Sequence, residues 1–388
     1  MTLRIGFLVS HPIQYYAPLF RALARQCDLT VYFAHRQTPA QQAKAGFDVA
    51  FDWDIDLLSG YESRFLKNVA RHPSTDHFNG CNTPDIVDEI RTGRFDAFVV
   101  PGWALRSYLQ AVRACRRFGV PVLVRGDSQL VGRRNAAVRL VKAVAFARLL
   151  RQFDGYLCVG QRNREYLLHY GAPPERLFFS PACVDNEFFR AGSEAARQAA
   201  APTRGETRRR ILFVGKLIER KRPLDLVQAA ACVKQIVDVE VAFAGSGALA
   251  SELARAANAS GLPAIFHGFV NQSAMPAVYT AADLLVLPSD GSETWGLAVN
   301  EAMACGIPAA VSDTVGCTPD LIEPGATGAT FPLGDVAAMA DAIISVLKFD
   351  APTTRRHLAA RMEAYSPARA ALGVVEGANG LRGRPLIS

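Results

Sequence analysis

Short apolar segments alternate with segments of helical spacing along most of this chain, and the whole alternation occurs twice. The apolar segments of the first series are residues 3–10, 29–34, 95–100, 120–125 and 155–160, and those of the second are 211–214, 239–244, 264–266, 284–287 and 309–312. Helical patterns fall between them, at residues 17–26, 105–118 and 139–152, and then at 223–234, 249–257, 275–281 and 295–305. Consecutive parallel strands need a crossover connection, which is usually a helix. The pattern therefore predicts an α/β chain of two Rossmann-like, doubly wound domains facing a central cleft, with ligands at the carboxyl ends of the strands.

The length and the local composition suggest where these domains begin and end. A chain of 388 residues exceeds one ordinary core and suits two domains. Small and charged residues replace apolar ones at 192–210, which is typical of a linker. We therefore expect an N-terminal domain at 1–191, a C-terminal domain at 211–365, and a last segment at 366–388 that can return to the N-terminal domain. Residues 37–82 break the rhythm of strands and helices and are interpreted as a long insertion that bears on specificity.

Charge and cysteine content narrow the classes of function. The chain has 43 Lys and Arg against 36 Asp and Glu, and this net charge of +7 fits anionic ligands or an anionic membrane surface. No zinc-finger, RNP or basic-zipper pattern is present, so no nucleic-acid partner is expected. The eight cysteines lack CxxC spacing, which argues against a metal site or a disulfide framework and favours reduced thiols in a cytoplasmic protein.

Arginines of the first domain raise the question of a membrane contact. They are Arg106, Arg113, Arg116 and Arg117 on or near one predicted helix, and Arg133, Arg134 and Arg139 near the next. A basic helix face can bind an anionic membrane peripherally, and a solvated helix face explains the same residues. No apolar run approaches the ~18 residues of a spanning helix, and the chain opens as a strand with no signal h-region. We expect a cytoplasmic protein, with peripheral contact at the inner face of the cell membrane as a hypothesis.

The stretch 284–313 reads as strand, loop, helix and strand, with Glu293 in the loop and Glu301 on the helix. A helix start after a buried strand presents unpaired N–H groups and a positive dipole end, which together bind anions such as a diphosphate. Carboxylates accept hydrogen bonds from pairs of hydroxyls, so a ribose and a hexose flanking that diphosphate would suit the two glutamates. The alternative is that a glutamate near the start of the helix is stabilised by the helix dipole and binds no ligand.

Basic residues follow the first strand of the second series. The segment GKLIERKRP starts at Gly215 and contains Lys216 and Lys221, whose ammonium groups could neutralise a leaving diphosphate. A solvated basic loop before a helix is the alternative. The Gly245-Ser246-Gly247 segment after the next strand is a weak signal, because a lone GxG often marks only a tight turn.

The order and wording of these segments resembles the retaining family-4 (group 1) glycosyltransferases of the GT-B fold. The segments are GKLIERKRP, AGSG, HGFVNQSAMPAVYTAADLLVLPS and ETWGLAVNEAMACGIPAAVSD, and the resemblance extends over residues 211–350. Upstream it is weaker, although FFSPACVDNEFF at 178–189 looks like the family's segment at the end of the first domain, with Asp185 in its usual place.

The resemblance implies roles for these residues. Glu293 would face the transferred sugar, Glu301 would hold the donor ribose hydroxyls, and Lys216 and Lys221 would neutralise the diphosphate, although the first is more often Arg in the family. The implied donor-binding set is Gly215, Gly245, Glu301, His267, Gly268, Phe269, Val270, Gly296 and Leu297. Within it, amides near Gly296 and Leu297 would face the diphosphate and residues 267–270 the base, unless His267 merely closes a short strand. Such enzymes work without a metal, so no metal and no cofactor beyond the nucleotide-sugar substrate is expected.

The first domain departs from the family pattern in two places. The glycine-rich loop that often follows the first strand is replaced by SHPIQYY, from which His11 or Gln14 could reach across the cleft, unless His11 only caps a turn before Pro12. The family frequently has a His after the fourth strand, where this chain has Arg125-Gly126-Asp127-Ser128. Arg125 and Asp127 are therefore candidates for contacts with the sugar or the acceptor.

The predicted function is transfer of a hexose from a nucleoside diphosphate sugar to a hydroxyl of a sugar or lipid-linked acceptor, with retention at the anomeric carbon. Synthesis of a bacterial polysaccharide, glycolipid or other glycoconjugate is the expected setting. Two alternatives stay open. A nucleotide-sugar epimerase on the same fold would convert the donor with no acceptor present, and a non-catalytic nucleotide-sugar-binding protein would bind the donor without releasing sugar.

Overall fold

The computed structural model describes residues 2–43, 49–130, 145–199 and 208–382. The chain divides into two compact units, and each is described by itself. Unit 1 comprises Met1–Gln41, Asp56–Cys183 and Pro367–Ser388, and unit 2 comprises Gln42–Ile55 and Val184–Ser366. The chain therefore contributes a short segment of its N-terminal half to unit 2 and its last helix to unit 1.

Unit 1 contains a parallel sheet. Over the residues described, its strands are β1 (Arg4–Val9), β2 (Asp28–Phe33), β3 (Glu62–Phe65), β4 (Ala97–Val100), β5 (Val122–Val124), β6 (Gly155–Cys158) and β7 (Leu177–Phe179), in the spatial order β3-β2-β1-β4-β5-β6-β7. The inner strands are apolar along their length because both faces of the sheet are covered. Register is set at β1, where Ile5 pairs with Leu29 on one side and with Ala97 on the other.

Unit 2 contains a second parallel sheet. In the described part of the chain its strands are β8 (Arg209–Val214), β9 (Val239–Ala244), β10 (Ala264–Gly268), β11 (Leu284–Leu287), β12 (Ala309–Ser312) and β13 (Gly328–Phe331), in the order β10-β9-β8-β11-β12-β13. Its core includes Phe213 and Phe243 on the strands, with Leu226 and Ile343 from helices packed against them. Two doubly wound parallel sheets confirm the predicted fold class.

Helices connect the strands in both units. In chain order they are α1 (Ala17–Ala24), α2 (Pro39–Gln42), α3 (Ile86–Gly93), α4 (Arg106–Phe118), α5 (Gln161–His169), α6 (Asn186–Ala199), α7 (Pro223–Val233), α8 (Ala250–Ala259), α9 (Met275–Thr280), α10 (Leu297–Ala304), α11 (Thr318–Leu321), α12 (Val336–Leu347), α13 (Ala351–Ala364) and α14 (Pro367–Leu381). Residues 145–150 are also helical, and residues 139–144 of the predicted helix 139–152 lie outside the described residues.

Helices cover both faces of the unit 1 sheet. On one face, Ile90 of α3 and Val112 of α4 pack against Phe98 of β4. On the other, Leu19 of α1 and Val374 of α14 join a core cluster with Phe7 of β1. Unit 1 is therefore a three-layer structure whose second helical layer is completed by the C-terminal end of the chain.

Two segments differ from the sequence-based expectation. Residues 62–65 of the predicted insertion form β3, a strand at the edge of the sheet paired in parallel with β2. Residues 192–199 of the predicted linker continue α6, and residues 209–210 already belong to β8, while 200–207 lie outside the described residues. Alanine is the strongest helix former, and Ser193 of α6 is buried and donates to the Cys305 carbonyl at 3.0 Å, so this part of the chain is ordered by packing.

Candidate functional site

The sheet of unit 2 has its topological switch point between β8 and β11. Connections run outward in opposite directions from these two strands, which opens a crevice at their carboxyl ends. Gly215 follows β8 and donates to the Ala244 carbonyl at 3.0 Å, and Gly245 donates to the Gly268 carbonyl at 2.7 Å. A Cβ on Gly245 would lie 2.0 Å from the Gly215 carbonyl oxygen, so only glycine permits this approach. The loop that carries Lys216 therefore lies beside the loops that follow β9 and β10.

An ion pair joins the two strand ends at the switch point. The Lys221 ammonium contacts the Glu293 carboxylate, and the two side chains are only 13% and 17% exposed. Glu293 is held by its backbone, since its N–H donates to the Asp290 carbonyl and its carbonyl accepts from the Gly316 N–H, each at 3.0 Å. The structure thus brings together two residues that lie 72 positions apart and were both predicted as catalytic.

A glycine sets the start of α10 at the same edge. Gly296 caps the helix with a left-handed backbone at φ 99°, and Leu297 is the first helical residue. A Cβ on Gly296 would lie 2.7 Å from Cδ2 of Leu287 at the end of β11. The neighbouring Trp295 is buried and donates from Nε1 to the Asn300 side-chain oxygen at 2.7 Å, which fixes the first turn. The first-turn N–H groups of a helix have no intrahelical partner and carry a positive dipole end, so this edge is suited to an anion.

Glu301 lies on the second turn of α10 in a different environment from Glu293. Burial raises the pKa of Glu301 to about 7, and hydrogen bonds from Tyr279 and Gln272 act in the opposite direction. The Tyr279 hydroxyl donates to Oε2 of Glu301 at 2.6 Å, and the tyrosine is fully buried. The Glu301 carboxyl group therefore titrates near neutral pH. Sequence reasoning missed Tyr279, whose signal is a single aromatic hydroxyl in the otherwise small-residue helix MPAVYT.

The loop after β10 presents the residues predicted to face a base. His267 is exposed at the end of the strand, and loss of part of its hydration together with the charge of Arg210 lowers its pKa. Phe269 and Val270 are half-buried. The Phe269 ring lies 4.3 Å from the ring of Phe51, which belongs to the short N-terminal segment of unit 2. Sequence reasoning did not identify Phe51.

The four acceptor candidates of the sequence lie in unit 1, after β1 and after β5. His11 Nδ1 is 2.9 Å from Ser10 Oγ, and burial, followed by the nearby His35, lowers the pKa of His11 to about 4. Gln14 is half-buried and Asp127 is exposed. Arg125 is buried, and its guanidinium donates to Ser180 Oγ at 3.1 Å and to the Pro181 carbonyl at 2.7 Å. Arg125 thus ties the end of β5 to the segment after β7.

Other predicted features are placed as follows. Asp185 accepts from the Phe188 N–H at 3.1 Å at the start of α6. Arg106, Arg113 and Arg117 are exposed on α4 and Arg116 is half-buried, whereas Arg133, Arg134 and Arg139 lie outside the described residues. All eight cysteines are free thiols, and each is buried except Cys232.

The described residues contain neither a metal-ligand cluster nor a membrane-spanning helix. Within residues 2–43, 49–130, 145–199 and 208–382, no group of three His, Cys, Asp or Glu side chains is arranged to hold a metal ion. Over the same ranges, no helix combines the length and the apolar character needed to cross a membrane.

The sequence of this chain is similar to those of known glycosyltransferases. Residues 195–366 match the model of the family described as glycosyl transferases group 1. The D-inositol 3-phosphate glycosyltransferase of Mycobacterium sp. (strain JLS) is 32% identical over 276 residues, which cover 66% of this chain and 58% of that protein. The counterpart from Mycobacterium tuberculosis (strain F11) is 33% identical over 195 residues, covering 48% and 39%. The chain thus spans less than two thirds of the length of these curated relatives.

Solved structures resemble the chain over nearly its whole length. The lipopolysaccharide outer core galactosyltransferase WaaB has a TM-score of 0.67 at 16% identity, covering 97% of this chain and 99% of that one. The Anabaena protein HepE in complex with UDP-glucose has a TM-score of 0.68 at 16% identity, covering 98% and 100%. At this identity the similarity concerns the fold, and it confirms the predicted GT-B class.

Proposed function

We propose that this chain, whose residues 195–366 match the model of the group 1 glycosyltransferases, transfers a hexose from a nucleoside diphosphate sugar to an acceptor hydroxyl with retention at the anomeric carbon. The ion pair between Lys221 and Glu293 at the switch point of unit 2 carries the proposal. A cation and a helix start at one edge of a sheet suit the diphosphate of the donor with its leaving oxygen, and the neighbouring carboxylate suits the sugar.

In the proposed reaction the bond between the anomeric carbon and the diphosphate oxygen breaks, and a bond to the acceptor oxygen forms on the same face of the sugar. The departing diphosphate oxygen takes the acceptor proton, so no protein nucleophile is required. Lys216, Lys221 and the first-turn amides of α10 would stabilise the charge that grows on the diphosphate. Glu293 would orient the sugar, and its pairing with Lys221 in the free protein would hold both side chains ready for the donor.

Glu301 is proposed to bind the donor ribose. A carboxylate with two oxygens can accept hydrogen bonds from two neighbouring hydroxyls. Tyr279 engages Oε2 at 2.6 Å and thereby fixes the orientation of the carboxyl group. The remaining donor-binding residues would be Gly215, Gly245, His267, Gly268, Phe269, Val270, Gly296 and Leu297.

The acceptor is proposed to be recognised by unit 1 residues, with His11, Gln14 and Asp127 as the first to test. Two of the similar structures support a nucleotide-sugar donor and a role in glycoconjugate synthesis, since one is a complex with UDP-glucose and the other is a lipopolysaccharide core galactosyltransferase. We further propose that the reaction needs no metal, which predicts that turnover is unchanged by EDTA.

A cytoplasmic location with peripheral membrane contact through α4 completes the proposal. Its arginines Arg106, Arg113 and Arg117 are exposed and could meet an anionic lipid surface. Flotation with anionic vesicles tests this contact, and an association that is insensitive to salt would contradict it.

The decisive experiment is a panel of nucleotide sugars. Thermal stabilisation identifies the donor, and release of nucleoside diphosphate with and without acceptor measures transfer. Proton NMR of the product then reports the anomeric configuration. Conversion of the donor to an epimer without acceptor would favour an epimerase, and binding without sugar release under every acceptor would favour a binding protein.

A further inference from the structure

A short stretch of the N-terminal half packs onto unit 2 beside the loop after β10. The chain leaves unit 1 after Gln41 and returns to it at Asp56. Between them, the Phe51 ring lies 4.3 Å from Phe269 with a 36° tilt, and Trp53 meets Phe51 edge-on at 4.9 Å and 90°. Phe51 is buried and Trp53 is half-buried. We call residues 51–54 the donor strap.

Polar contacts fix the donor strap in one position. The Asn271 side chain donates to the Asp52 carbonyl at 2.8 Å. The Ser273 N–H donates to Asp54 Oδ1 at 3.0 Å, and the Ser273 hydroxyl donates to Asp54 Oδ2. Each exposed hydrogen bond is weak alone, but contacts along consecutive residues leave little freedom in register.

The same loop leads directly to the proposed donor site. Asn271 also accepts from the Gln272 N–H at 2.8 Å, and Gln272 is buried and hydrogen-bonds Glu301. At the other end of the loop, Gly268 accepts from Gly245 at 2.7 Å. The donor strap therefore contacts a loop that is joined to Gly245 at one end and to Glu301 at the other.

We propose that the donor strap is part of the recognition site for the nucleotide base, with Trp53 as a specificity residue and Phe51 and Asp54 as positioning residues for the loop 267–273. Aromatic side chains stack on bases, and the half-buried indole of Trp53 offers such a surface next to Phe51, which itself contacts Phe269 of the loop. The inference rests on the proposed function, because it assumes that the edge of unit 2 binds a nucleotide sugar.

The test uses the full chain and the probes UDP, GDP and ADP, together with hexoses carried on each. We expect wild-type protein to prefer one base, and Trp53→Ala to reduce that preference at least about fivefold through KM with kcat unchanged. Asp54→Ala is expected to reduce it less, in the same direction, with the fold intact because Asp54 is exposed. Phe78→Ala is the matched control, since Phe78 is an exposed aromatic of the same predicted insertion that belongs to unit 1.

A second measurement reports on Trp53 directly. The chain has three tryptophans, Trp53, Trp103 and Trp295. We expect the preferred nucleotide to quench tryptophan emission in the wild type and most of that quenching to disappear in Trp53→Phe. Base preference within twofold of wild type in Trp53→Ala, with quenching retained in Trp53→Phe, would overturn the inference while leaving the proposed function intact. A wild-type protein that neither binds nor cleaves any nucleotide sugar would overturn the proposed function and the inference with it.

Discussion

Glu301 shows how one half-buried side chain can make stability depend on pH. Burial raises its pKa from 4.5 to about 7 in the folded chain. A carboxyl group whose pKa is raised on folding binds more protons in the folded state than in the unfolded state between those two values. Its contribution to stability is therefore fully present below pH 4.5 and is lost as the pH rises through 7.

The first prediction compares Glu301→Gln with the wild type by urea unfolding at several pH values. Glutamine mimics the neutral acid and still accepts from Tyr279, so we expect similar stability at pH 5 and a variant that is more stable by about 1–3 kcal/mol at pH 8.5. Other titrating groups are common to both proteins, which makes the difference specific to Glu301. A difference in free energy that does not change between pH 5 and 8.5 would contradict the assigned environment.

The second prediction concerns Lys221 and turnover. Removing the ammonium group in Lys221→Ala takes away charge from the proposed diphosphate site, so kcat/KM for the donor should fall at least about tenfold, on the order of 1.4 kcal/mol. Lys234→Ala is the control, because Lys234 follows the opposite end of α7 and donates to the Gly261 carbonyl. Equal values of kcat/KM in the two variants would show that Lys221 does not contribute to the proposed diphosphate site.

The identity of these residues could be predicted from sequence, but their contacts could not. Glu293 and Lys221 lie in the loops that follow two different apolar strands, β11 and β8. Their pairing spans 72 positions, and it depends on β8 and β11 being neighbours. Tyr279 and Glu301 are 22 positions apart on different helices, so no local spacing connects them. Local patterns indicate which residue types lie at the carboxyl edge of the sheet. Which of these side chains pair with each other depends on tertiary packing.

At the scale of elements, apolar runs identified the inner strands and the edge strand β10, but they missed the other three edge strands. The strands β3, β7 and β13 were not predicted, and each lies at an edge of its sheet. An edge strand is covered less completely, and the sequence of β3, ESRF, has alternating exposure. The continuous apolar run that marks an inner parallel strand is therefore missing there.

The third prediction tests the start of α10 at this scale. Gly296→Ala should lower the free energy of unfolding in two ways, by placing a side chain at φ 99° and by forcing a Cβ within 2.7 Å of Leu287. Gly325→Ala separates these causes, because Gly325 has φ 79° and nothing within 4 Å of its Cβ position. We expect Gly296→Ala to be less stable than Gly325→Ala by about 1–3 kcal/mol in urea unfolding. Equal losses of unfolding free energy in the two variants would mean that the start of α10 shifts enough to relieve the contact between the added Cβ and Leu287.

At the scale of the whole molecule, neither unit is formed by one continuous stretch of the sequence. Unit 1 takes its last helix from residues 367–381, after unit 2 is complete. The sequence indicated only that the final segment could return, because the small residues of α14 carry no strong pattern of their own. Ala370, Val374 and Ala378 are fully buried in the same cluster as Phe7 and Phe20, which explains why the helix is rich in alanine and glycine.

The last prediction concerns Gly373, where α14 comes closest to the sheet of unit 1. A Cβ on Gly373 would lie 2.0 Å from the Phe179 carbonyl oxygen at the end of β7, and the adjacent Ser180 donates to the Ala370 carbonyl at 2.8 Å. In a free helix Gly→Ala stabilises by about 0.5–1 kcal/mol, so the intrinsic preference and the packing predict opposite signs. We expect packing to win in Gly373→Ala, with a loss of about 1–3 kcal/mol.

Hydrogen exchange localises this loss. Protection should fall at β6 and β7 in unit 1 and remain unchanged at β8 and β9 in unit 2, because α14 belongs to the core of unit 1 alone. Leu372→Ala serves as the control, since Leu372 is 42% exposed on the same helix and its truncation opens no buried space. A Gly373→Ala protein with increased stability would mean that α14 is not held against β7, and that unit 1 is complete without the end of the chain.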